Sequence, residues 1–169
     1  MANKMTLEYV KNTYNTYEDR MIAAFVGKPE KVEYYRSAFY LYNKDGVEKM
    51  RWKWSWWAFF GNLWYFLYRK AYLAALVAFI LSIVFGIVPF GGLIFSILVG
   101  GFGVYFVYKK YKDLKSEIEA QTEDEDERIK LMIQNGGYNT WVIWLAVILT
   151  ILGLVGAILG SSIEPNQFQ

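Results

Sequence analysis

Neither cysteine nor histidine occurs among the 169 residues. The first absence excludes disulfides, thiol chemistry and cysteine-based zinc sites; the second removes the commonest metal ligand and the usual general base. A metal enzyme or a nucleophile–histidine hydrolase is thus close to excluded, and no cofactor is expected. Charge is missing over two long stretches, Ala71 to Tyr108 and Trp141 to Gly160. With no ionisable side chain in either run to accompany an ion or proton, active transport by a monomer is not expected. Their polar inventory is Ser82, Ser96 and Thr150, hydroxyls that bond back to their own helix carbonyls. A net charge of +2 is too small to argue for nucleic acid. Met1 to Asn15 is polar and has no apolar h-region, so no signal peptide is expected and the apolar runs must direct insertion.

What is present is apolar and aromatic: 55% hydrophobic residues, with 7 Trp and 14 Tyr. As one helix, residues 71–108 would extend roughly 57 Å, nearly twice the ~30 Å hydrocarbon core of a bilayer. Val88-Pro89-Phe90-Gly91-Gly92 interrupts the run near its middle. The expectation is two spans, 71–88 and 91–108, in a hairpin, and a third at 141–160: an all-α integral membrane protein with three transmembrane helices. Lysines and arginines precede the first span (Lys49, Arg51, Lys53, Arg69, Lys70) and follow the second (Lys109, Lys110, Lys112, Lys115), whereas the hairpin and the tail at 161–169 have none. By the positive-inside rule, the N-terminal segment and residues 109–140 are expected in the cytoplasm and the short tail outside.

Residues 1–48 carry two apolar stripes at helical spacing. Leu7, Val10, Tyr14, Tyr17, Met21 and Phe25 predict one helix over 5–26, begun by Thr6 and ended by Gly27; Val32, Tyr35, Phe39 and Tyr42 predict a second after Pro29. A hairpin of about 40 residues has too little core to stand alone and is expected to pack on its own membrane part or a partner. Within 49–70, Trp52 to Tyr68 predicts an interfacial amphipathic helix. Trp52, Trp56, Phe60, Trp64 and Tyr68 would set its depth, and Arg69 and Lys70 would reach lipid headgroups. The competing reading is a long kinked element broken at Gly61-Asn62. Beyond the second span the helix is expected to continue through Lys109 to Ala120. Thr122 and Glu125 then form a capping box for a charged helix ending near Gln134. The acidic run Glu123 to Glu127 suits that helix's first turn, and it lacks the spacing and glycine of an EF-hand.

Small residues mark two faces: Gly92, Ser96 and Gly100 on the second span, and Gly153, Gly156, Ala157 and Gly160 on the third. Such faces let helix backbones approach closely, either within the chain or against another subunit. Gly100-Gly101-Phe102-Gly103 is neither a Walker nor a Rossmann motif, since no strand precedes it. The leading expectation is a non-enzymatic accessory or scaffold subunit, docking a membrane protein partner through cytoplasmic and interfacial helices. The rivals are a homo-oligomeric pore lined by the second span and a lipid-sensing protein that reads the bilayer with its aromatic helix.

Trp56-Trp57-Ala58-Phe59-Phe60-Gly61, Trp64 and Tyr68-Arg69-Lys70, followed by Tyr72, resemble the signature of a widespread uncharacterised family of small bacterial inner-membrane proteins. Ala24-Phe25-Val26-Gly27-Lys28 and Glu33-Tyr34-Tyr35 resemble the approach to it, so the likeness covers roughly residues 20 to 110. It departs at Asn62, where the family pattern has proline after the glycine. The resemblance implies a multi-pass protein of the bacterial inner membrane and brings no activity or catalytic residues.

Overall fold

The computed structural model describes residues 5–162, all of whose regular structure is helical. The first stripe forms two helices rather than one, α1 (Leu7–Thr13) and α2 (Tyr17–Val26), separated by an extended Tyr14. Asn12-Thr13-Tyr14-Asn15-Thr16 is a run of weak helix formers, and Thr16 does better as a cap, its hydroxyl accepting the Asp19 N–H. Arg20 Nε, 2.9 Å from the Tyr14 carbonyl, holds the break. Gly27 ends α2 in the left-handed region, φ 69°, and α3 (Pro29–Tyr42) starts on its proline. A 3-10 turn at Lys44–Gly46 follows.

The segment expected to be one interfacial helix is not continuous. Residues 51–55 are extended, and two short helices follow, α4 (Trp56–Gly61) and α5 (Leu63–Tyr68), split at Asn62 with φ 41°. The break falls at the Gly61-Asn62 pair named by the competing reading. Two contacts explain the extended part: Lys53 N–H donates to the Gly101 carbonyl at 2.9 Å and Ser55 N–H to that of Gly100 at 2.8 Å. Ser55 then caps α4 through the Ala58 N–H. The chain is thus strapped across another helix before it can coil.

That helix is α7 (Gly91–Gln121), 31 residues and about 46 Å long. It follows α6 (Tyr72–Gly86) through a turn in which Ile87, Val88 and Gly91 N–H groups bond back to Val84, Phe85 and Val88 carbonyls. A Cβ at Gly91 would lie 1.9 Å from the Phe85 carbonyl oxygen, so the turn closes only on glycine. The turn consumes residues that hydropathy alone assigns to the spans. At 15 residues α6 is about 22 Å long, short of the ~30 Å core. Two helices among the described residues, α7 and the C-terminal α9 (Trp141–Ser162), are long and apolar enough to cross a membrane; three such spans are not evident.

The second half of α7 anchors a helical headpiece. The α2, α3 and α8 (Glu125–Asn135) helices pack around it, so the N-terminal pair finds its missing core on the same chain. Phe25, Phe39, Tyr108 and Tyr111 form its aromatic centre, with Phe39 stacked 5.0 Å from Tyr111 and Phe25 edge-on at 5.3 Å. Tyr111 donates to Glu18 at 2.6 Å, Lys115 pairs with the same carboxylate, and Tyr17 donates to Glu119 at 2.9 Å. The cap of α8 is Asp124, whose carboxylate accepts the Glu127 N–H at 3.0 Å, not Thr122. Asp serves an N-cap as well as Thr does, and starting two residues later keeps Glu125, Asp126 and Glu127 all in the first turn.

Candidate functional site

The extended strap and α4 lie on a shelf of glycines. A Cβ at Gly101 would enter the Trp52 ring at 2.3 Å; one at Gly100 would meet Phe59 and Trp54 at 3.0 Å; one at Gly103 would meet Ala58 at 3.2 Å. On that shelf the rings interlock, Trp52 stacking on Trp54 at 6.0 Å, Trp54 edge-on to Trp56 at 5.1 Å, and Trp56 stacking on Phe60 at 5.9 Å. Trp52, Trp56, Trp57 and Phe60 nonetheless present much of their surface outward, Phe60 with 74% exposed. Trp64 and Tyr68 are half-buried, and Tyr68 sits apart, stacked at 5.2 Å on Tyr138 with the Lys28 ammonium over both rings.

The two cations expected at headgroups turn inward. Arg69 is only 3% exposed, and its Nη1 donates to the Val26 carbonyl at 3.1 Å. Its guanidinium lies 4.4 Å from the Tyr35 ring centre and 5.6 Å from that of Phe25; Nε and Nη2 have no hydrogen-bond partner among the described residues. A guanidinium is weakly hydrated and stacks on rings, which lets this position hold it where lysine would fit poorly. Lys70, at φ 56°, donates to the Gly136 carbonyl at 2.6 Å. These bonds tie the α5–α6 corner to the headpiece rather than to a lipid surface.

Lys110 joins the same cluster, its ammonium 3.4 Å from the Arg69 carbonyl. Burial, then the nearby Lys70 and Arg69 charges, push its pKa down to about 8. Sequence reasoning counted Lys110 only toward topology, although a hairpin of two apolar runs must bring Arg69-Lys70 and Lys109-Lys110, which bound it, to the same level. Around the cluster, Gly137 N–H donates to the Phe25 carbonyl at 2.7 Å and Asn139 N–H to that of Tyr68 at 2.8 Å, fastening α8 and the start of α9.

The small-residue faces have different fates. Ser96 accepts a hydrogen bond from the Asn62 side chain at 2.9 Å and Gly100 is covered by Trp54 and Phe59, while Gly92 stays open. On α9, a methyl group added at Gly153 or Gly156 would meet nothing within 4 Å. The surroundings of Gly160 lie outside the described residues, as do residues 163–169 of the tail. Contacts of α9 run chiefly to α5, and most of its side chains are exposed.

No curated protein and no solved structure matches this chain. A family model described as "Protein of unknown function (DUF2628)" matches residues 15–112, from the start of α2 through the strap, the glycine shelf and the cation cluster to the first part of the headpiece in α7. The chain belongs to that family of unknown function.

Proposed function

We propose that this protein is a non-enzymatic accessory subunit of the bacterial inner membrane that docks a membrane protein partner through α9 and its headpiece. The supporting observation is the position of α9. Its N-terminal end is fastened to α5 and to Tyr72 by Asn139, while among the described residues its contacts run chiefly to α5 and Gly153 and Gly156 are uncovered. In a bilayer, lipid covers a leucine-rich surface adequately, whereas a glycine face is where another backbone gains most by approaching.

In this reading the headpiece is cytoplasmic, in line with the lysines that bound the hairpin. The hairpin 71–108 supplies two spans, the bilayer thinning locally to accommodate the short α6. A pore lined by the Gly92, Ser96 and Gly100 face is less well supported, because Ser96 and Gly100 are engaged by Asn62, Trp54 and Phe59.

The test is to extract the tagged chain from its native membrane in mild detergent and measure the mass of the intact particle. A stoichiometric second protein is expected, and it should be lost in the Gly153→Leu/Gly156→Leu variant while the headpiece stays folded. A lone monomer, or a partner indifferent to both substitutions, would overturn the docking role.

A further inference from the structure

A groove of about 660 Å³ runs between α6 and α7, and its two ends differ in chemistry. Along most of its length the wall is apolar, built from Val77, Leu81, Phe95, Val99 and Phe102. Its other end is lined by Lys70, Lys109 and Lys110 against the single carboxylate of Asp113, which leaves that mouth net positive. Neither Lys109 nor Lys110 has an ion-pair partner among the described residues, and the one hydrogen bond of the Lys110 ammonium is the long contact to the Arg69 carbonyl.

A half-buried ammonium beside two further cations is costly without a counter-charge. Water and chloride would satisfy the lysines but not the apolar wall that continues from them. An amphiphile with an anionic head satisfies both. The groove borders the length of α6, about 22 Å, which exceeds the ~15 Å of one bilayer leaflet and so accommodates an acyl chain end to end. Phe66 of α5 and Met50, ahead of the strap, also line it, so the occupant would touch α5, α6, α7 and Met50 at once. An ordinary boundary lipid touches a single convex surface.

We propose that this groove is a binding site for one anionic glycerophospholipid, its acyl chain between α6 and α7 and its phosphate held by Lys109 and Lys110. Lys70 keeps its hydrogen bond to Gly136 and adds charge. The bound headgroup supplies the counter-charge that Lys110 lacks, and the lipid braces the hairpin against the headpiece through the Lys110 contact to Arg69. This inference rests on the membrane placement proposed above and not on the docking role of α9.

The full chain, purified in a neutral detergent and exchanged into vesicles of phosphatidylglycerol and phosphatidylcholine in equal amounts, is released for native mass spectrometry. One retained phosphatidylglycerol per chain is expected. Each lysine near an anionic headgroup contributes about fivefold, so Lys109→Gln/Lys110→Gln should cut the preference roughly 25-fold. Lys109→Gln alone, at an exposed position, should cut it about fivefold without touching the fold. Val77→Trp, which fills the groove, should abolish retention of both lipids while the headpiece keeps its thermal transition. Equal retention of the two lipids, or a preference unchanged in both lysine variants, would overturn the proposal. Competition by inorganic phosphate as effective as by the lipid would do the same, assigning the lysines to a soluble anion. Loss of a protein partner in the Gly153→Leu/Gly156→Leu variant leaves the lipid count unaltered, which separates the two proposals.

Discussion

Replacing Gly136 with alanine adds one methyl group where α8 ends against α2, and the geometry specifies what it must displace. The new carbon would lie 2.7 Å from the Met132 carbonyl oxygen, 2.9 Å from the Phe25 Cα and 3.0 Å from the Phe25 carbonyl oxygen. Carbon contacts are comfortable near 3.5–4.0 Å, so the two backbones must part by roughly 0.5–1 Å. All three atoms are main chain in packed helices, and no rotamer change relieves them. Overpacking of this kind costs about 1–3 kcal/mol, and the adjoining Gly137 N–H bond to Phe25, 2.7 Å long, is worth about 1 kcal/mol more. Against this, alanine lowers the unfolded chain's entropy by about 0.4–1 kcal/mol. The net loss is roughly 1–3.6 kcal/mol, or about 2–14 °C in the headpiece transition of a chain this size. Gly137→Ala is the contrast, since its φ is 73° but nothing lies within 4 Å of the added methyl. It should cost only the ~1–2 kcal/mol of a left-handed alanine and leave the α2–α8 contact intact. Thermal unfolding in a fixed detergent, read by near-ultraviolet circular dichroism, compares the pair with the parent. A Gly136→Ala protein within about 0.5 kcal/mol of the parent would refute the claim that main-chain contact at this glycine sets the docking of α8 on α2.

At the hairpin, Gly91→Ala should lower the unfolding temperature and expose residues 87–91 to limited proteolysis, because the Phe85 carbonyl occupies the methyl site; Gly86→Ala, with open space and a helical position, should be neutral or stabilising. Glu48 is held below the usual carboxylate range by hydrogen bonds from Lys112 and Tyr105, so its contribution is present above about pH 4.5 and is lost as pH falls through the lower folded value. Acid titration of stability should therefore flatten in Glu48→Gln, and an unchanged acid limb would remove this contact from the account. Lys110 gives a slope of the same sign in a higher window: with a folded pKa of about 8 against 10.5 for the free group, the unfolded chain binds more protons in between. In neutral detergent, stability should rise from about pH 8 toward about pH 10, and Lys110→Met should abolish that rise. Above that range partly buried tyrosines such as Tyr34, raised to about 12, favour the neutral folded form and turn the slope downward.

Much of the helical content was readable because its signals are local. Gly27 and Pro29 separate α2 from α3, Asn135-Gly136 ends α8, and Pro89-Phe90-Gly91 closes the turn between α6 and α7. The errors cluster where a local rule met a stronger distant contact. Periodicity from Leu7 to Phe25 promised one helix, but it is blind to Thr16 serving as a cap with Arg20 bonding Tyr14. The aromatic run from Trp52 promised a helix too, and no window of sequence contains the Gly100 and Gly101 carbonyls that draw residues 53 and 55 into an extended strap. Arg69 and Lys70 looked like headgroup contacts because charge beside an apolar run usually reaches water. The carbonyls of Val26 and Gly136, which capture them instead, come from segments more than 40 residues away.

The amino-acid sequence by itself determined that the chain is helical, where most helices begin and end, which runs are too apolar for water, and that thiol and imidazole chemistry are absent. Those properties follow from propensity, capping and hydropathy, which act over a few residues. Tertiary structure alone decided that the N-terminal helices and α8 share one core around the second half of α7. It also decided that Gly100, Gly101 and Gly103 form a shelf for tryptophans, and that Arg69, Lys70 and Lys110 meet at a single corner above an apolar groove. The physical reason is that each depends on two segments distant in the chain approaching to van der Waals contact, and that approach is set by the packing of the whole.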